Sequence, residues 1–81
     1  METWRPDPFQ PGRRYRVRKD FKAFRDTFHE GEILVYQKNA YSIYDSMSGF
    51  FFHDSAQKWR SWDIHDGEPI EVWPELFELI P

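Results

Sequence analysis

Residues 14–18 read Arg14-Tyr15-Arg16-Val17-Arg18. Polar and apolar side chains alternate at period two, the pattern of a strand with one buried face. Tyr15 and Val17 therefore point inward, and three arginines project outward. Upstream, Pro6, Pro8, Pro11 and Gly12 punctuate the chain. Proline fixes φ and cannot donate to a strand ladder, so residues 1–11 read as an extended lead-in and residues 12–81 as the single domain. Arg5, Pro8 and Pro11 fit a basic PxxP spacing, a pattern short enough to arise by chance.

Downstream, Asp20 precedes Phe21, Phe24 and Phe28, spaced by three and four. That spacing predicts a short helical turn near residues 20–28, capped by Asp20, with an ordered loop closed by the rings as the competing arrangement. Glu32 to Lys38 holds four consecutive apolar residues and reads as a strand buried on both faces. Asn39-Ala40 separates it from Tyr41 to Asp45. A turn at Ser46 to Gly49 leads into a strand at Phe50 to His53, and Gln57 to Ile64 forms another. His65 to Pro69 is a turn. Pro74 suits a helical first turn near residues 74–78. The inward set is Tyr15, Val17, Leu34, Tyr36, Phe52, Trp62, Ile64 and Phe77. Short strands with turns about every ten residues predict a mainly β fold, a small antiparallel barrel or strongly bent sheet.

The order of elements, over residues 12–80, resembles an SH3-like barrel. Pro11-Gly12, Tyr15, Val17 and Asp20-Phe21, with Gly31-Glu32, Leu34, Tyr41 and Tyr44-Asp45, are also similar to a family of small uncharacterised bacterial domains. The chain departs from signalling SH3 domains at its opening, Tyr15-Arg16-Val17-Arg18, in its mixed-charge excursion loop, and in Trp59 and Trp62 lying three apart. Proline-peptide binding is therefore not implied; the likeness speaks to architecture.

Composition narrows function further. The chain has 81 residues, room for one modest core. It has no cysteine, which excludes disulfides, thiolate metal sites and a cysteine nucleophile. Its longest apolar runs are far below the roughly 20 residues of a membrane helix, and Met1 to Asp7 lacks the apolar stretch of a signal peptide. A cytoplasmic protein with no membrane partner is expected. His29, His53 and His65, with Asp54, Asp63 and Asp66, show no metal-ligand spacing. No nucleophile or phosphate-loop motif occurs. The expectation is a non-enzymatic binding or accessory module without a cofactor.

Two surfaces compete for the partner. Aromatic residues make up 20% of the chain, more than so small a core can bury. In a regular strand, residues three apart face opposite ways. Trp59 therefore falls opposite Trp62, and a protein-binding patch of Trp59 with Tyr41 or Tyr44 is expected. The alternative is single-stranded nucleic acid held by Arg14, Arg16 and Arg18, spaced about 7 Å apart along the strand. Charge argues against it. Residues 13–25 carry seven bases and one acid, while residues 61–81 carry six acids and no lysine or arginine. If first and last strands are neighbours, Glu75 or Glu78 pairs with the arginines. The net charge of −3 also opposes a polyanion.

Overall fold

The computed structural model describes residues 1–81. Seven strands form: β1 (Arg14–Val17), β2 (Phe21–Lys22), β3 (Thr27–Phe28), β4 (Ile33–Ser42), β5 (Met47–His53), β6 (Trp59–His65) and β7 (Phe77–Leu79). A 3-10 turn at Ile70–Val72 runs into one helical turn, α1 (Trp73–Leu76), with Pro74 in its first positions. Five strands make an antiparallel sheet in the order β6-β5-β4-β1-β7, and β2 pairs with β3 as a separate hairpin. The main sheet is open, with β6 and β7 as its edges. The closed SH3-like barrel expected from the element order is thus not formed by strand pairing.

The alternation that defines β1 is realised: Tyr15 and Val17 are buried, Arg14 and Arg16 exposed. All eight residues expected to face inward are buried. The choice of Leu34 and Tyr36 over Ile33 and Val35 follows from register, because Tyr15 pairs with Leu34 and cross-strand partners share a face. Ile33 and Val35 are only half-covered, so β4 is not buried on both faces. Nor does β4 stop at Asn39-Ala40. It continues to Ser42, pairs with β5 along its length, and shifts register between Tyr36 and Lys38. The extra residue, Gln37, bends the strand where the sequence suggests a break. The turn falls at residues 43–46 instead.

Residues 20–28 form no helical turn. Phe21 and Phe28 are cross-strand partners, their rings stacked at 4.9 Å between centroids and both packed against Phe77. Spacings of three and four suit a helix, but residues seven apart also meet across a hairpin closed by the Ala23 N–H donating to the Asp26 carbonyl. Burying two rings against Phe77 favours the hairpin. Phe24 is left at its tip, 69% exposed. The Asp20 carboxylate accepts the Glu30 N–H, ten residues on, so it closes the excursion rather than capping a helix.

The lead-in is part of the fold. Phe9 is 3% exposed, with seven aromatic neighbours within 6.0 Å. Arg5 is buried as well and donates through Nη2 to the His65 and Asp66 carbonyls. It pins the lead-in to the turn after β6, so the PxxP-like stretch is committed to its own fold. Asp7 accepts from Tyr36 Oη at 2.5 Å and from Asn39 Nδ2 at 2.8 Å. Burial, reinforced by that bond to a carboxylate, holds the Tyr36 hydroxyl protonated well above the usual tyrosine range.

Candidate functional site

Of the three outward arginines, Arg14, Arg16 and Arg18, two are engaged. Arg16 Nη1 lies 2.7 Å from Glu78 Oε1, because β1 and β7 are neighbours with Arg16 opposite Glu78. Arg18 Nη1 donates to the Pro74 carbonyl at 3.2 Å. The acidic C-terminal segment therefore neutralises part of the basic strand, as the charge asymmetry predicts. Arg14 makes no ion pair and is exposed.

Trp59 is 56% exposed at the start of edge strand β6. Its face is set by the pleat, which turns Trp62 and Ile64 into the core. Ser61 and Asp63 share that outer face, yet both are buried there, because the β2–β3 hairpin folds over them. Trp59 lies beyond the covered part. Its cross-strand partner His53 packs against it at 4.1 Å between ring centroids, and Phe51 meets it edge-on at 6.3 Å. Lys38 Nζ lies over the indole at 5.6 Å.

Tyr41 and Tyr44 are elsewhere. Trp59 pairs with His53, whereas Tyr41 pairs with Ser48, five residues along β5. At ~3.3 Å per residue they are offset by about 16 Å along the strands, with β5 between them, and, five being odd, lie on opposite faces. The Tyr41 hydroxyl donates to Asp66 Oδ2 at 2.7 Å, which raises its pKa. Tyr44 stands 97% exposed in the turn between β4 and β5. The three aromatic candidates thus form no single patch.

What surrounds Trp59 instead is a row crossing the sheet. Register places Arg14 opposite Val35, Val35 opposite His53, and His53 opposite Trp59. Cross-strand partners share a face, so these four side chains line one outer surface, with Lys38 and Phe51 in the next row. Sequence reasoning found the two ends of this row and missed its middle. Only register joins residues 14, 35, 53 and 59.

Beside this face, a groove of about 270 Å³ opens between Phe24 and Arg25 at the hairpin tip and the outer side of β4 and β5. Its floor is Gly49. A Cβ there would meet Asp63 Oδ1 and the Phe51 ring at 3.0 Å, so carboxylate and ring lie directly on the backbone. Arg25 grips Asp63 bidentately, Nε to Oδ2 at 2.9 Å and Nη2 to Oδ1 at 2.8 Å. That bond raises the Arg25 pKa and balances a carboxylate that is only 6% exposed.

A second clamp holds the same hairpin. The Arg60 guanidinium contacts Asp26 at 2.9 Å, Glu32 at 2.6 Å and Asp54 at 3.6 Å, donates to the Thr27 carbonyl, and lies over Phe28. Its own pKa is raised by the hydrogen bond to Glu32. Burial would raise the Glu32 carboxyl, but bonds from Arg60 and the His29 backbone hold it below its ordinary value. These clamps are structural: each ties the hairpin to β6, Arg25 through Asp63 and Arg60 through Asp26 and the Thr27 carbonyl.

No group of three or more histidine, aspartate or glutamate side chains is arranged to hold a metal ion, and no helix is long and apolar enough to cross a membrane. No protein-family model matches the chain, and no curated protein matches it. Among solved structures, an integron cassette protein from the mobile metagenome of Vibrio cholerae superposes with a TM-score of 0.73. The match covers 90% of this chain and 87% of that one at 16% identity. At that identity the likeness establishes a shared fold, a small mainly β domain like that of the cassette protein.

Proposed function

We propose that this protein is a non-enzymatic binding module that contacts a protein partner through the outer face of its sheet, with Trp59 as the central side chain. The observation that carries this reading is the 56% exposure of Trp59 on a regular strand, with Phe51 and His53 packed beside it. Exposed indole surface held on a rigid element is what binding hot spots are made from. We read the order β6-β5-β4-β1-β7, with the hairpin excursion between β1 and β4, as an SH3-like arrangement whose open side is filled by the hairpin and the lead-in. Tyr41 and Tyr44 are not part of this contact surface.

Nucleic acid is the weaker reading. The first strand offers one unengaged arginine, Arg14, because Arg16 is paired with Glu78 and Arg18 with the Pro74 carbonyl. The test is affinity capture from the host lysate with the wild type and Trp59→Ala, with thermal unfolding of both. Loss of a specific partner by about 2 kcal/mol or more, at unchanged melting temperature, supports the reading. Unchanged capture, or a melting loss like that of a core residue, refutes it.

A further inference from the structure

We infer that the partner segment bound at the Trp59 face is acidic and extended: a short stretch of chain with carboxylates flanking an apolar side chain. This rests on the protein-binding reading above and adds the chemistry of the partner.

The charge of this face is opposite to that of the chain. Arg14 and Lys38, both on this face, are exposed and make no ion pair, although the chain carries a net charge of −3. The carboxylates that border the face are already engaged. Glu78 belongs to Arg16 and Asp63 to Arg25. Asp54 faces Arg60 and accepts the backbone N–H groups of Ala56 and Lys58. Two cations without ion pairs, Arg14 and Lys38, therefore lie along this face with an exposed aromatic side chain. That arrangement selects an anionic partner by complementarity.

Geometry separates an acidic peptide from a nucleic acid strand. Base stacking needs an open aromatic face. The indole of Trp59 already carries Lys38 over its ring at 5.6 Å and His53 against it at 4.1 Å. Its exposed part serves better as one wall of an apolar contact than as a stacking platform. Lys38, held over the ring, presents its ammonium beside that contact, where a carboxylate flanking the inserted side chain can meet it. The row from Arg14 to Trp59 crosses four adjacent strands, about 14 Å at ~4.8 Å per strand, and an extended segment of about four to five residues spans it. Carboxylates at the two ends of such a segment reach Arg14 on one side and the Lys38 ammonium over Trp59 on the other.

The experiment is an amide NMR titration of the full chain with three probes: a soluble peptide of glutamates interspersed with leucine, its lysine counterpart, and an oligothymidine. The acidic peptide is expected to shift the amides of Lys38, Phe51, His53 and Trp59 and the Trp59 indole N–H. Its affinity should fall at least about five-fold between about 50 and 300 mM salt. The double charge reversal Arg14→Glu with Lys38→Glu should weaken it about ten-fold while leaving the amide spectrum of the core unchanged. Binding of the lysine peptide at the same residues, with the acidic one silent, overturns the inference and leaves the protein-binding face standing. Binding of the oligothymidine alone overturns both in favour of nucleic acid. Silence toward all three probes at millimolar concentration also overturns both.

Discussion

Replacing Phe9 with alanine should come close to unfolding the protein, although Phe9 lies among prolines in a segment with no regular structure. Its ring is 3% exposed and touches Tyr15, Tyr36, Phe50, Phe52, Trp62, Trp73 and Phe77, with centroids between 5.1 and 6.0 Å. Returning a phenylalanine side chain to water removes about 2–3 kcal/mol of transfer free energy. Its seven neighbours come from β1, β4, β5, β6, α1 and β7 and cannot all collapse into the space. The cavity contribution therefore brings the expected loss to about 3–5 kcal/mol. Most of the pairs are edge-to-face, and each aromatic pair adds up to about 0.5–1.5 kcal/mol, which favours the upper end. At ~0.05–0.15 kcal/mol per residue, a chain of 81 residues has roughly 4–12 kcal/mol of total stability. The loss is thus about a quarter of the total or more. Urea unfolding followed by tryptophan fluorescence measures it, with Phe24→Ala as the control, since Phe24 is 69% exposed and should change stability by less than about 0.5 kcal/mol. If Phe9→Ala loses under about 1 kcal/mol and matches the control, the lead-in is not part of the core. The domain would then begin near residue 12.

Other outcomes follow from the clamps and the sheet. Arg60→Ala should lose about 3–5 kcal/mol, because Asp26, Glu32 and Asp54 are left facing one another without their cation; a milder loss than Phe24→Ala in the same urea titration would show the cluster to be solvated. The Glu32 carboxyl sits below its ordinary value of 4.5 in the fold, so its stabilisation is fully present above that pH and is lost as pH falls through the lowered folded value. Melting temperature should drop on acidification below about 4.5, and Glu32→Gln should flatten that slope. Tyr36 is raised above its ordinary 10.0, so its contribution holds below pH 10 and is lost as pH rises beyond it; Tyr36→Phe should lessen that alkaline loss. Gly49→Ala places a Cβ 3.0 Å from Asp63 Oδ1 and the Phe51 ring, and should destabilise by about 1–3 kcal/mol. A neutral effect on melting would mean that the Phe51 ring and the Asp63–Arg25 pair give way freely.

Period-two alternation is enough to assign Tyr15, Val17, Trp62 and Ile64 to the inner face. That pattern is local, because a strand with one wet face must alternate. The asymmetry between the basic residues of 13–25 and the acidic tail likewise points to the Arg16–Glu78 pair, since the charge of each segment is legible in its residues. Where the pattern admits two geometries, tertiary packing chooses. Phe21, Phe24 and Phe28 satisfy a helix or a hairpin, and the ring of Phe77 selects the hairpin. Ile33 to Tyr36 has no polar residue to mark a face, so the pairing of Tyr15 with Leu34 decides it. Asn39-Ala40 looks like a turn, yet ladder hydrogen bonds from β5 carry the strand through it.

What lies wholly outside the sequence is what links distant segments. Phe9 has no periodic neighbours, so nothing local distinguishes a core ring from a solvated one between prolines. Arg25 meets Asp63 across 38 positions and Arg60 meets Glu32 across 28, and any arginine could have met any acid. The mainly β character of the chain and the face on which Trp59 sits were set by residue chemistry and strand parity, whereas its exposure depends on the hairpin, which covers Ser61 and Asp63 on the same face but not Trp59. The hairpin, the buried lead-in and the row from Arg14 to Trp59 were decided by register and packing, since these alone specify which of many compatible residues share a face.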